Sequence, residues 1–217
     1  MKYGVVGASG KLGKEVINVF AEENHELVFT FDIQGEWIES EPQVLIDCSL
    51  PEAFDKTIGF GEKFNCPLIV ATTGLSLKNL DDLKAFSQKQ PVVQSYNFSV
   101  GIQILLTLTK IAKDKLPDWD VEITETHHRL KKDKPSGTAK MIQDIFSDKK
   151  INTTSLRLGN VPGDHTVSFA GLGEVISIQH RAVSRRTFAE GILKSAKFIL
   201  NKEKGLYTFT DVVFERK

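Results

Sequence analysis

The 217-residue chain is poor in cysteine, having only Cys48 and Cys66. These lie in or beside apolar runs and have no Cys-x-x-Cys spacing, so free buried thiols are expected rather than a disulfide or a thiolate metal site. No set of histidine, cysteine and carboxylate residues has metal-ligand spacing either, and no metal is expected. Long apolar runs are also lacking. None approaches the roughly 18 residues needed to cross a bilayer. There is no excess charge of either sign: 28 Lys and Arg balance 28 Asp and Glu. That removes the global electrostatic footprint of a nucleic-acid or anionic-membrane binder. A basic-then-apolar leader is missing because Gly7 to Lys14 interrupts the first apolar run, so the expected location is the cytoplasm. Repeats and low-complexity tracts are absent.

What is present begins with an alternation of short apolar runs and helical patterns. Met1–Gly7 reads as a strand and is followed by Gly7-Ala8-Ser9-Gly10-Lys11-Leu12-Gly13. A helix then carries Val16, Ile17, Val19 and Phe20 on one side. Glycines between a strand and a helix are the context of a dinucleotide-binding loop. The first allows the tight turn, the second lets backbone approach a pyrophosphate, and the third lets helix and strand pack closely. The helix N-terminus adds free N–H groups and positive dipole. The spacing is GxxGxxG rather than GxGxxG, a moderate signal by itself. Leu27–Asp32 reads as the next strand, and Asp32 falls nineteen positions after Gly13, where a carboxylate takes ribose hydroxyls. No arginine adjoins Asp32 to receive a 2′-phosphate. The expectation therefore leans to NADH, with Lys11 the nearest group for NADPH. His25, just past the first helix, reads as a solvated residue.

Further strands are expected at Val44–Ser49, Pro67–Ala71 and Pro91–Gln94, with helices opening at Pro51 and spanning Leu77–Gln88. This alternation implies a parallel sheet covered on both faces, with ligands beyond the carboxyl ends of its strands. Gly7–Gly13, Ala71-Thr72-Thr73-Gly74 and Ser95-Tyr96-Asn97-Phe98 would then surround one crevice.

A long helix follows over Phe98–Lys115, then a strand from Trp119 to Thr124, a helix over Gly137–Phe146, and strands at Thr154–Leu158, His165–Ala170 and Val175–Arg181. A helix over Thr187–Leu200 and the run Asp211–Phe214 come last. The fold expected is α/β: an N-terminal Rossmann-like parallel sheet with helices on both faces, plus a smaller α+β substrate domain with an open mixed sheet. Residues 1–98 would form the dinucleotide-binding domain, with 186–217 returning to pack on it. Residues 99–185 would form the substrate-binding and oligomerisation domain.

Chemistry concentrates in Glu122–Thr138. Adjacent imidazoles, His127 and His128, lead into Arg129, Lys131, Lys132 and Lys134, and then into Pro135-Ser136-Gly137-Thr138 at a helix start. Cations, imidazoles and a helix N-terminus suit an anion and a proton transfer. A solvated basic loop is the alternative for the charge run alone, and Arg129 and Lys132 read as surface residues.

At Glu125-Thr-His-His-Arg-Leu-Lys-Lys-Asp-Lys-Pro-Ser-Gly-Thr-Ala139 the sequence closely resembles the 4-hydroxy-tetrahydrodipicolinate reductase (dihydrodipicolinate reductase) family, whose signature is E-x-H-H-x-x-K-x-D-x-P-S-G-T-A. The resemblance extends through the glycine loop, Ala71–Gly74 (where glycine is usual at 71), Asn97–Gly101, Pro162–Phe169 and His180–Arg185. The segment between Phe146 and Pro162 is shorter than in many relatives. The resemblance implies NADH- or NADPH-dependent reduction of a cyclic dicarboxylate, with His127 and Lys131 as the proton-transfer pair. It further implies substrate binding by His128, Ser136, Gly137 and Thr138. Cofactor binding would fall to Gly7–Gly13, Asp32, Ala71–Thr73 and Ser95–Phe98, and the assembly would be a homotetramer through the second domain. Family motifs also hold His165 and His180, which read as structural, second-layer or interface residues. Another nicotinamide dehydrogenase of similar architecture, or a non-catalytic dinucleotide-binding sensor, are the competing readings. Neither gives a reason for the intact His127–Ala139 run.

Overall fold

A computed structural model describes residues 1–147 and 149–214. The chain divides into two compact units, one formed by residues 1–98 with 185 onward and the other by 99–184.

The first unit is a seven-stranded sheet. Its elements are β1 (Lys2–Val6), α1 (Lys11–Glu22), β2 (Glu26–Asp32), β3 (Gly35–Ile38) and β4 (Val44–Asp47). A 3-10 turn at Pro51–Ala53 runs into α2 (Phe54–Phe64), followed by β5 (Leu68–Val70), α3 (Leu77–Ser87) and β6 (Pro91–Gln94). Because strand side chains alternate between faces, β1 and β4 feed two cores. Tyr3, Val5, Val44 and Ile46 join Val16, Val19 and Phe20 on one side. Val6 and Leu45 join Phe54, Phe60, Phe64, Leu83 and Phe86 on the other. Both faces are covered, which is why the strands read as continuous apolar runs.

The second unit contains α4 (Val100–Lys115), β7 (Asp120–His127), α5 (Gly137–Ile145), β8 (Asn152–Arg157), β9 (Asp164–Ala170) and β10 (Val175–Arg181). Its sheet has the order β10-β9-β7-β8. The β10–β9 and β9–β7 pairs are antiparallel, and β7–β8 is parallel. Ile102, Leu105 and Leu106 of α4 and Ala139 and Ile142 of α5 pack with Ile123, Val167 and Phe169 to make its core.

The chain then returns to the first unit as α6 (Arg186–Ile199), β11 (Gly205–Thr208) and α7 (Phe209–Phe214). The completed sheet has the order β11-β6-β5-β4-β1-β2-β3, parallel throughout except for the antiparallel β2–β3 pair at its edge. Strand order reverses at β1, whose neighbours are β2 and β4. Ligands of such sheets sit at this switch point, beyond the strand ends.

Two four-residue strands, β3 and β11, go beyond the sequence-based expectation. All four residues of β3 are exposed, and its pairing depends on a turn after Asp32 rather than on its own apolarity. The helix expected from Phe98 starts at Val100 because Ser99 caps it, accepting from the Ile102 N–H at 3.4 Å. β7 continues past Thr124 to His127. His25 is half-buried rather than solvated. Its Nδ1 meets the N-terminal ammonium at 3.2 Å, and its ring lies edge-on to Phe20. Cys48 and Cys66 are both free thiols.

Candidate functional site

The first cluster lies at the switch point. Gly7 turns with φ +85° directly after β1, a conformation in which a side chain would be strained. A Cβ at Gly13 would come within 2.2 Å of the Gly7 carbonyl oxygen, so α1 can approach the loop only with glycine there. α1 starts at Lys11 with no side-chain cap on Gly10, leaving first-turn N–H groups for a ligand. Asp32 closes the opposite side. Its Oδ2 accepts from Ser9 N–H at 3.0 Å and its Oδ1 from Gln34 N–H at 2.7 Å. These bonds, the Gln34 one foremost, hold its carboxyl below the ordinary range. A cavity of about 580 Å³ is lined by Gly7, Ser9, Gly10, Lys11, Asp32 and Ile33, and by Cys48, Ser49 and Leu50 beyond β4. Ile33 is 98% exposed and Leu50 69% exposed, two apolar side chains at its rim.

Of the other residues expected near this loop, Ala8 and Gly13 are buried beneath it and Leu12 packs on the core. Ala71, Thr72 and Thr73 follow β5, and Ser95, Tyr96 and Asn97 follow β6, on the same carboxyl edge but outside the lining of this cavity. The Ser95 hydroxyl donates to the Asn97 carbonyl at 2.8 Å and accepts from its N–H at 3.2 Å, giving that segment a fixed turn. Phe98 is committed to the core, against Phe209.

The second cluster is built on one face of the smaller sheet. Alternation along β7 puts Ile123, Glu125 and His127 on the inward face. Ile123 belongs to the apolar core, so the same face passes from packing to chemistry within one strand. Pairing brings His165 of β9 opposite Glu125 and Arg157 of β8 opposite His127. Glu125 is fully buried and His127 is 7% exposed. The His127 Nδ1 meets Glu125 Oε2, while Arg157 grips the same carboxylate through both terminal nitrogens, at 3.0 and 2.9 Å. Burial pushes the Glu125 carboxyl up. Hydrogen bonds from His127, Arg157 and Ser155 outweigh it and hold the group well below the usual carboxylate range. Glu125 is therefore ionised and can only accept, so Nδ1 of His127 carries a proton and Nε2 is left for a ligand. A side chain at position 163 would lie 3.0 Å from that Nε2, and Gly163 leaves the space open.

Lys131 reaches this cluster from the loop after β7. Its Nζ pairs with Asp133 at 2.8 Å, and its N–H bonds to the His128 carbonyl at 3.1 Å. The Asp133 carboxyl is raised by burial but lowered more by the Lys131 bond, for a net fall. His128 is half-buried, and Arg129, Lys132 and Lys134 are exposed. The loop ends where the Ser136 hydroxyl caps α5, accepting from Ala139 N–H at 3.2 Å. Gly137 and Thr138 occupy the first turn, at the positive end of the helix dipole.

His165 and His180 share an arrangement. His165 Nε2 meets the Ser136 cap of α5 at 3.2 Å, and His180 Nε2 meets the Ser99 cap of α4 at 3.1 Å. Burial lowers both imidazoles, His165 to about 3, and the His127 ring 5.1 Å away lowers His165 further, so it stays neutral.

Sequence reasoning missed Glu125 as a working residue and missed Arg157 altogether. Glu125 stood inside the motif two positions before His127, the spacing that places two strand residues on one face. Arg157 carried no signal in its own strand.

The chain is similar along its length to proteins of one family. Residues 1–98 match the family described as dihydrodipicolinate reductase, N-terminus, and residues 101–213 the one described as dihydrodipicolinate reductase, C-terminus. A 4-hydroxy-tetrahydrodipicolinate reductase of Thermosipho africanus is 50% identical, over 99% of both chains. One from Caldanaerobacter subterraneus subsp. tengcongensis is 36% identical, over 95% of this chain and 96% of that one. Among solved structures, a dipicolinate-bound dihydrodipicolinate reductase from Paenisporosarcina sp. TG-14 shares the fold. It has a TM-score of 0.76 at 22% identity, covering 96% of this chain and 97% of the other. With both halves matched and half its residues identical to one relative, the chain belongs to the dihydrodipicolinate reductase family.

Proposed function

We propose that the protein reduces 4-hydroxy-tetrahydrodipicolinate to tetrahydrodipicolinate, with loss of water, in diaminopimelate and lysine biosynthesis. The observation that carries this reading is the buried Glu125–His127 pair standing with Lys131 and the Ser136-capped helix in a chain of this family.

Cofactor binding falls to Gly7–Gly13, Asp32, Ala71–Thr73 and Ser95–Asn97, with Phe98 anchoring the last segment. The tight glycine loop, in which Gly7 and Gly13 have no room for a Cβ, and the ionised Asp32 at the same cavity fit a dinucleotide, its pyrophosphate on the α1 N-terminus and a ribose on Asp32. Ile33 and Leu50 offer apolar flanks to a flat base. NADH is the preferred partner because Asp32 repels a 2′-phosphate, while Lys11 at the cavity retains some use of NADPH. When bound, the nicotinamide supplies the hydride.

The remaining steps belong to this chain. One substrate carboxylate sits at the N-terminus of α5, against Gly137 and Thr138, with Ser136 holding the turn and His128 adding a contact. The reduced ring has an electron-rich carbon that must be protonated. Doubly protonated, His127 gives that proton from Nε2 and is left as the neutral Nδ1–H form that Glu125 holds. Lys131 stabilises the charge that develops and shares the proton traffic. The same reading includes a homotetramer assembled through the second unit, supported by exposed Val175 and Ile176 on its edge strand, and a cytoplasmic location.

The test is a coupled assay. The synthase product of pyruvate and aspartate semialdehyde is supplied, and loss of the reduced-nicotinamide absorbance is followed. Consumption of NADH, with slower use of NADPH, is expected. No consumption of either overturns the reading.

A further inference from the structure

We propose that Arg157 is the positioning residue of this site, fixing through one guanidinium both the tautomer of His127 and the path of the loop that carries Lys131. The inference rests on reading His127 and Lys131 as the proton-transfer pair.

Arg157 lies opposite His127 in the parallel β7–β8 register, with its side chain 8% exposed. Its Nη1 and Nη2 form a two-pronged grip on Glu125, which also meets Nδ1 of His127 and Ser155. The donors that remain turn the other way. Nε donates to the Lys131 carbonyl at 3.2 Å, and Nη2 also reaches the Asp133 carbonyl. Nη1 further donates to the Leu156 carbonyl at 2.6 Å, tying the head of the side chain to its own strand. A planar group with five donors in fixed directions can serve a carboxylate and two loop carbonyls together. The carboxylate orients the imidazole, and the carbonyls belong to Lys131, the residue with the second working side chain, and to its ion-pair partner Asp133. One rigid plane therefore sets where the two groups stand relative to each other. A simple counter-charge for Glu125 would need none of the carbonyl contacts, and a lysine would provide it.

That difference defines the test. Arg157→Lys keeps the charge and loses the fork. It should lower kcat by about 10–100-fold, the scale for residues that orient a working group, with KM for the cofactor unchanged. In protein with labelled histidine, the ring nitrogens of His127 should move from a single Nδ1–H form towards a mixture of tautomers. The double variant Glu125→Gln/Arg157→Met removes both charges together, so no unpaired ion is left buried. It should bind NADH as the unaltered protein does and still show the loss in kcat. Unchanged kcat in either variant overturns the proposal, and so does a fall in kcat for Arg157→Lys with the His127 signals unmoved. Because those signals are read without substrate, they judge Arg157 even if the reductase assay shows no turnover.

Discussion

The two clusters are built by different means. At the switch point of the first unit the working atoms are mostly main chain: N–H groups of the glycine loop and the first turn of α1, around an open cavity with one solvated carboxylate, Asp32. In the second unit a cluster of side chains stands beside the N-terminus of α5. Glu125 is fully buried, His127 and His165 nearly so, and the guanidinium of Arg157 is spent among them. A backbone cradle needs only the right path of the chain and can exchange its ligand through an open mouth. A buried ionic cluster must satisfy every donor and acceptor, since a charge left unpaired inside costs about 3–5 kcal/mol. The first arrangement suits a cofactor that comes and goes. The second suits a proton that must leave from one nitrogen in one direction.

The largest test of this contrast is His127→Gln. Glutamine cannot supply the proton, so kcat should fall by about 100–10,000-fold, the range for a general acid, while KM moves far less. Steady-state rates decide it, and an unchanged kcat removes the imidazole from the chemistry. A smaller effect is expected at the open site. Asp32→Ala removes one charged acceptor while leaving the backbone cradle, and should raise KM for NADH by about tenfold. NADPH should lose less, because the same change also removes a repulsion. Equal losses for both cofactors would mean that Asp32 does not discriminate between them.

The smallest effect is on stability against pH. The His165 imidazole is held down to about 3, whereas in an unfolded chain it titrates near 6.5. Between those values the unfolded chain binds more protons, so stability is complete above the upper value and declines as pH falls through the window. The slope is at most about 1.4 kcal/mol per pH unit. Urea unfolding compared at about pH 5 and pH 7 should show this slope, and His165→Asn should flatten it. Glu125 acts lower on the scale: its folded value is depressed below the carboxylate range, so its contribution persists at these pH values and is lost only in stronger acid. An equal slope in both proteins would take His165 out of the account.

Legibility from sequence divides along the same line. The glycine loop, Asp32 and the α/β alternation are local patterns, and the chain's own periodicity displays them. The motif from Glu125 to Ala139 is also contiguous, which is why His127 and Lys131 could be singled out as candidates from the sequence. Arg157 could not, because its role comes from a register with β7, thirty residues earlier, and nothing in Asn152–Arg157 announces which strand lies beside it. β3 and β11 escaped for a related reason. Each is four residues long, too short to show a period, and each is defined by its neighbour.

The return of the chain after the second unit has a consequence for how the molecule is made. During synthesis β6 emerges long before β11, the strand that borders it, with all of residues 99–184 between them. Until Gly205–Thr208 arrives, β6 is a bare sheet edge whose Pro91, Val92 and Val93 are buried in the finished protein, and such an edge invites pairing with other chains. The inserted unit has its own core and can form on the ribosome in that interval. The larger sheet is the first to be started and the last to be finished. Its period of greatest exposure to misassembly is set by the length of the insertion.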